Sequence, residues 1–338
     1  MTEEGDVQDA SFYQRHLDAV SRSFALCIPQ LEEPFRDRVA LAYLLFRVLD
    51  TVEDAPFADR ERQQRLFDEF RALLRERPAN GRAGQLAHAF PAGLTAAEAE
   101  LLRVCDLLFA DAWELPEEAR GILLGALDRM AQGMAAYARR GQLLRLVDVE
   151  DVSRYCCFVA GVVGEMLTRL WALDGGRPPS MLAAYRFGLY LQKVNILKDQ
   201  REDEAAGRFL VPDRAALLAS LRADARGALE YVTTLPRDAT GYRIFCSWSL
   251  MLGATSLSQL GAPAQSRRAE TLALLGRTAE IASDDEALSR LFRELLPPLP
   301  DLRPERPLRK PEPTAWFVRA LGAPLSPAEL SDLGAVVQ

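Results

Sequence analysis

Phe35-Arg-Asp-Arg-Val-Ala-Leu-Ala-Tyr-Leu-Leu-Phe-Arg-Val-Leu-Asp-Thr-Val-Glu-Asp54 places apolar residues at three- and four-residue steps, with a dense run from Val39 to Phe46. That period lays an apolar stripe along an α-helix and predicts a helix buried over its middle. The same period recurs at Leu101–Phe109, Ile122–Met134, Val152–Trp171, Met181–Leu197, Ile244–Leu260 and Ala269–Ile281. Period-two alternation is scarce, and Leu, Ala, Arg and Glu, all good helix formers, dominate. Turns are marked by Pro91-Ala-Gly93, Gly175-Gly-Arg-Pro-Pro179 and Gly261-Ala-Pro263. The expected fold class is all-α, a helical bundle of ten or more helices forming one domain over residues 1–295. A Pro-rich tail, 296–338, follows it; the prolines from Pro297 to Pro313 exclude a helix there, and Ala315–Leu321 is expected as a short docking helix. No repeat of 33 to 47 residues is visible, which argues against a solenoid.

The chain has 338 residues, 49% apolar and 26% charged, enough to bury a core and too apolar for a disordered chain. It carries 48 Asp and Glu against 41 Lys and Arg, a formal charge of -7. No global basic field is offered to nucleic acid, so no nucleic-acid partner is expected. Only His16 and His88 are present, which excludes a site built from several histidines. Cys27, Cys105, Cys156, Cys157 and Cys246 form no CxxC pair, and their odd number argues against a disulfide framework; buried thiols in a reducing compartment are expected. No run approaches about 18 consecutive apolar residues, and the acidic start MTEEGDVQDA is unlike a signal peptide. The expected location is cytoplasmic, at most peripheral to the inner face of a membrane.

Two carboxylate clusters carry the chemical signal, Asp50-Thr-Val-Glu-Asp54 and Asp199-Gln-Arg-Glu-Asp203. Each sets two aspartates one helical turn apart, where like charges repel. Each follows an apolar helix, which is not how a solvated acidic face reads. Carboxylate oxygens suit hard cations, and Mg2+ binds one or two carboxylates together with substrate phosphates. Arg47, Lys193, Lys198, Arg201 and Arg208 flank the clusters and suit the remaining diphosphate oxygens. The plainer alternative is a pair of surface acid clusters with local cationic partners. Asn195, one turn before Asp199, offers a neutral oxygen ligand, and Gln192 lies one turn further back; ordinary capping or core hydrogen bonding explains both equally well. The six acids at positions 50, 53, 54, 199, 202 and 203 account for most of the charge, since 42 acids against 41 bases leave -1.

Tyr155-Cys-Cys-Phe-Val-Ala-Gly-Val-Val-Gly164 is the third informative stretch. Ala160, Gly161 and Gly164 leave one helical side without bulk, at up to about 1 kcal/mol per glycine. Close helix packing and space for an elongated apolar ligand both account for that. Tyr155 is either a buried hydrogen-bonded phenol or a group that orients diphosphate or moves a proton.

Taken in order, these residues resemble the squalene/phytoene synthase family, most closely its squalene-forming members. Ser21-Arg-Ser-Phe24, Tyr43-Leu-Leu-Phe-Arg47 with Asp50–Asp54, Tyr155–Gly164, Leu191–Asp203 and Gly207-Arg-Phe-Leu-Val-Pro212 carry the likeness, which spans about residues 10 to 290. The resemblance implies a type I isoprenoid synthase bundle around a deep apolar cavity, with the aspartate clusters facing each other across its mouth. It implies Mg2+ held by Asp50, Asp54, Asp199 and Asp203, helped by Asn195. Arg22, Ser23, Tyr43, Arg47, Lys198 and Arg208 would contact diphosphate, with Gln192 also at the substrate. Phe24 and Phe245 would line the hydrocarbon tunnel, and Tyr155 would assist ionisation or proton removal. The implied substrates are prenyl diphosphates: two farnesyl diphosphates condense head to head through presqualene diphosphate, and NADPH reduces the product to squalene. Arg267 and Arg268 match, loosely, a basic pair linked to the second diphosphate or to NADPH; without a GxGxxG fingerprint the nicotinamide is implied by the resemblance alone. Ser249-Leu250 departs from the proline and glutamine usual in squalene-forming members. The alternatives are a synthase that stops at dehydrosqualene, phytoene or presqualene diphosphate, and a non-catalytic prenyl-diphosphate-binding scaffold. Peripheral contact with a membrane would serve release of a water-insoluble product.

Overall fold

The computed structural model describes residues 10–21, 23–141, 143–260, 268–300, 314–322 and 324–334. The chain divides into two compact units, Met1–Gln142 and Leu143–Gln338. The first unit holds α1 (Ala10–Val20), α2 (Phe24–Cys27), α3 (Phe35–Asp54), α4 (Arg60–Arg75), α5 (Ala96–Arg103), α6 (Cys105–Glu114) and α7 (Glu117–Ala138). The second holds β1 (Leu144–Arg145), α8 (Val149–Cys156), α9 (Val162–Leu173), α10 (Met181–Lys198), α11 (Gln200–Ala205), β2 (Arg208–Phe209), α12 (Arg214–Thr234), α13 (Thr240–Ser258), α14 (Arg268–Glu280), α15 (Asp285–Leu295), α16 (Thr314–Leu321) and α17 (Pro327–Asp332). The all-α expectation holds; among the described residues the two short strands form one parallel pair, Leu144 opposite Arg208.

In the first unit α3 is the core helix. Val39, Leu41, Leu44, Leu45, Val48, Leu49 and Val52 are buried, so its apolar stripe wraps most of the helix. It ends at Ala55, which is extended and followed by Pro56. α4 then starts on an N-cap, Asp59, which accepts the Glu61 backbone N–H at 2.8 Å.

The sequence reads a helix over Leu101–Phe109, whereas the chain breaks at Val104 between α5 and α6. Val152–Trp171 is also interrupted: Cys157–Gly161 is a π-helical turn between α8 and α9. Such wide turns insert one extra residue and change which side chains face the neighbouring helix. With that turn included, Val149–Leu173 is long and apolar enough to cross a membrane, although the sequence shows no unbroken apolar run. More than half of its apolar window is buried inside the protein, as in a core helix.

The glycines of this helix are packing residues. A Cβ on Gly164 would lie 2.2 Å from the Ala184 carbonyl oxygen, and one on Gly188 would lie 2.3 Å from that of Ala160. The backbones of α9 and α10 therefore touch, which settles the small-residue side in favour of close helix packing. The five cysteines are buried, as expected, and no disulfide joins them among the described residues. α16 packs on the same helix, with the Phe317 ring edge-on to Phe158 at 5.3 Å.

Candidate functional site

The first carboxylate cluster lies at the C-terminal end of α3. Asp50 and Glu53 are half-buried and Asp54 is exposed, while Thr51 and Val52 between them are buried. Arg47 Nη1 lies 3.2 Å from Asp50 Oδ2. The Nε of Arg47 is buried and has no hydrogen-bond partner among the described residues. An unmatched guanidinium donor beside a carboxylate pair fits an anionic ligand. Tyr43, one turn before Arg47, bonds the Ser21 side chain, and its ring lies 5.3 Å from that of Phe24. Burial raises the Tyr43 phenol above its ordinary value and nearby Asp50 adds to this, while the Ser21 bond and Arg47 oppose it. Ser21 Oγ also accepts the Phe24 N–H at 2.9 Å. Ser23 is exposed, with no side-chain capping bond. Arg22 lies outside the described residues.

Gln63 is a residue the motif reading missed. Wholly buried on α4, its Nε2 donates to the carbonyls of Val52 at 2.9 Å and Glu53 at 3.0 Å, holding the turn that carries Glu53 and Asp54. Its signal in the sequence is a glutamine on the apolar stripe 63, 66, 67, 70, 73, 74 of α4. Gln63→Ala is expected to cost about 2 kcal/mol, because a buried and a part-buried carbonyl lose their donor; urea unfolding measures it.

The second cluster lies where α10 runs into α11. Asp199 closes one helix and opens the other, and the Asp203 N–H still reaches the Asp199 carbonyl at 2.9 Å. The one-turn spacing thus survives a change of helix. Most of α10 is buried, but Gln192 and Asp199 are half-buried and Asn195 is exposed, so these three form an open stripe on a core helix. Lys198 Nζ lies 3.2 Å from Asp199 Oδ2. Asp203 is buried, and Arg208 Nη2 donates to its Oδ1 at 2.5 Å. Gly207 makes that return possible: at φ +79 it occupies the left-handed region and turns the chain from α11 into β2. Burial pushes the Asp203 carboxyl up to about 6, with Asp199 and Glu202 adding to the rise. The cluster's oxygen donors suit a hard cation. Among the described residues no group of three or more His, Cys, Asp or Glu side chains is close enough to hold a metal alone. What is offered is paired carboxylates, the donor set of an ion that also keeps waters and phosphate oxygens.

Lys193, a flanking cation in the sequence reading, is not available to a diphosphate. It is 1% exposed and its Nζ lies 2.6 Å from Asp224 Oδ2. Tyr155 is buried on the last turn of α8, directly before the π turn. Phe245 is buried on α13, its ring 6.2 Å from that of Tyr242. Ser249, at the departure from the family pattern, is buried and donates to the Phe245 carbonyl of its own helix at 3.0 Å. Arg268 opens α14 and is exposed, and Arg267 lies outside the described residues. The structure thus brings Ser21, Phe24, Tyr43, Arg47 and Asp50 together in the first unit. In the second it brings together Lys198, Asp199, Asp203 and Arg208.

The squalene/phytoene synthase family matches residues 17–271. A squalene synthase of Schizosaccharomyces pombe is 31% identical over 203 residues, 58% of this chain and 42% of that protein. One of Cochliobolus lunatus is 29% identical over 214 residues, 62% of this chain and 50% of its own. The chain thus matches half or less of the length of these curated relatives. Among solved structures, the squalene synthase TcSQS in complex with a ligand is similar with a TM-score of 0.70 at 22% identity, covering 96% of both chains. A dehydrosqualene synthase is similar with a TM-score of 0.51 at 17% identity, covering 80% of this chain and 96% of its own. The fold is the helical fold of these isoprenoid synthases. With three-quarters of its length inside the family match and both carboxylate clusters within it, the chain belongs to the squalene/phytoene synthase family.

Proposed function

We propose that the protein condenses two farnesyl diphosphates head to head through presqualene diphosphate and, with NADPH, forms squalene. The observation that carries this reading is the open stripe Gln192, Asn195, Asp199 on an otherwise buried helix, leading into the buried Asp203–Arg208 pair. Likeness to curated squalene synthases at about 30% identity supports the product assignment. Bound Mg2+ would neutralise the leaving diphosphate and NADPH would supply hydride. In the first unit Asp50 and Asp54, and in the second Asp199 and Asp203 with Asn195, would hold Mg2+. Arg47 would donate its unmatched Nε to a diphosphate oxygen, and Lys198 and Arg208 would contribute positive charge to diphosphate. Tyr155 would assist ionisation of the donor, or relay the proton lost as the cyclopropane closes by giving its own phenol proton to the departing diphosphate. An allylic cation survives only where water is excluded and π faces are near, and Phe24 and Phe245 supply aromatic surface. Contact with a membrane surface would take up the product.

A second reading ends before reduction and rests on Ser249, whose hydroxyl is turned to its own helix. Incubation with farnesyl diphosphate and Mg2+, with and without NADPH, separates them. Squalene only with NADPH is expected; dehydrosqualene or presqualene diphosphate irrespective of NADPH would establish the second reading. No turnover of any prenyl diphosphate would sink both.

A further inference from the structure

Lys193 and Asp224 form a charged pair that the reaction above does not use. Their atoms lie 2.6 Å apart with the side chains 1% and 3% exposed, and the same ammonium donates to Ser220 Oγ at 3.2 Å. A sealed pair of this kind is a weak source of stability, because desolvation opposes the attraction and apolar isosteres often serve as well. Its effect is directional. At 3.6 residues per turn, Lys193 and Asn195 lie on nearly opposite sides of α10, and Asp199 lies about 120° from Lys193.

The side of α10 that carries Gln192, Asn195 and Asp199 begins with Ala184 and Gly188. Those two are held against Gly164 and Ala160 by backbone contact. Beyond Gly188 the side opens, and the ion pair to α12 holds the helix from the other side, just over one turn later. Both charges also act on the Cys156 thiol, next to Tyr155. Asp224 lies on the apolar stripe 217, 221, 224, 225, 228 of α12, a position that packing alone would fill with a hydrocarbon.

We propose that the Lys193–Asp224 pair is a positioning device that sets the rotation of α10 about its axis, so that Gln192, Asn195 and Asp199 leave the core together. The proposal rests on the metal and diphosphate reading above. It makes Lys193 a positioning residue and not a ligand of the diphosphate.

The full chain, the double variant Lys193→Met/Asp224→Leu and the single variant Asp224→Glu are compared in three measurements. These are urea unfolding, Mn2+ binding with inorganic pyrophosphate by electron paramagnetic resonance, and farnesyl diphosphate turnover. The double variant is expected to unfold at a urea concentration no lower than wild type, since its apolar pair avoids the desolvation penalty. Its Mn2+ affinity is expected to fall about 10-fold and its turnover about 100-fold. Wild-type affinity and turnover in the folded double variant would overturn the proposal. Should that variant fail to fold, Asp224→Glu decides: it keeps both charges but lengthens the link, and an Mn2+ affinity about 10-fold weaker is expected. Unchanged affinity there overturns the proposal equally. If wild type itself neither binds Mn2+ with pyrophosphate nor turns over farnesyl diphosphate, the underlying reading falls and the pair's role with it, a pattern distinct from a loss confined to the variants.

Discussion

Asp199→Asn and Asp50→Asn are each expected to lower turnover of farnesyl diphosphate by about 10³-fold, equivalent to about 4 kcal/mol of transition-state stabilisation. The substitution keeps volume and one carbonyl oxygen but removes the anionic charge that would hold a divalent ion at the departing diphosphate. Stability should barely move. Asp50 pairs with Arg47 at 3.2 Å with both side chains about a third exposed, and Asp199 pairs with Lys198 where both are more open still. Pairs of that exposure contribute less than about 1 kcal/mol. Circular dichroism and urea unfolding should therefore superimpose on wild type while product formation collapses. Retained turnover in either variant would refute the metal assignment at that carboxylate.

Gly164→Ala and Gly188→Ala are expected to be the most destabilising methyl additions in the second unit. Alanine is the better helix former by about 1 kcal/mol, so a glycine kept only by chance would be improved by the change. Here the new methyl meets carbonyl oxygens at 2.2 and 2.3 Å, and a backbone can give way only by moving its helix. Overpacking against backbone lies at the upper end of the usual range, about 3 kcal/mol, and after the gain of about 1 kcal/mol in helix propensity the balance is a net loss of about 2 kcal/mol. Gly161→Ala provides the internal control. Its methyl would meet the Tyr185 ring at 2.6 Å, a side chain that can shift, so its loss should be smaller. Equal or raised stability of Gly164→Ala in urea unfolding would show that α9 and α10 are not in backbone contact.

The helical class and the position of α3, α10 and α13 were legible because each carries a long periodic apolar stripe, and burial follows period. The break at Val104 was not, because no proline or glycine marks it; the residue turns with ordinary angles, φ -93 and ψ 8. The π turn at Cys157–Gly161 was equally silent, since one extra residue in a helical turn leaves the apolar pattern almost unchanged. Asp50, Asp54, Asp199 and Asp203 could be picked out because repelling carboxylates at the ends of apolar helices are unusual. Gln63 and Asp224 were overlooked, although each stands as a polar residue on an apolar stripe.

By itself, then, the chain determined its helices, its oxygen-rich acidic character and its family, all properties of residue type and spacing along one strand of covalent bonds. Tertiary structure alone decided which of several equivalent readings each residue takes. Lys193 and Lys198 are the same residue type five positions apart on one helix, yet one is sealed against Asp224 and the other stands open beside Asp199. Gly161 and Gly164 could have made room for a ligand, but the approach of α10 makes them helix contacts. The reason is that burial and partnership depend on what the rest of the chain brings alongside, and no local pattern carries that information.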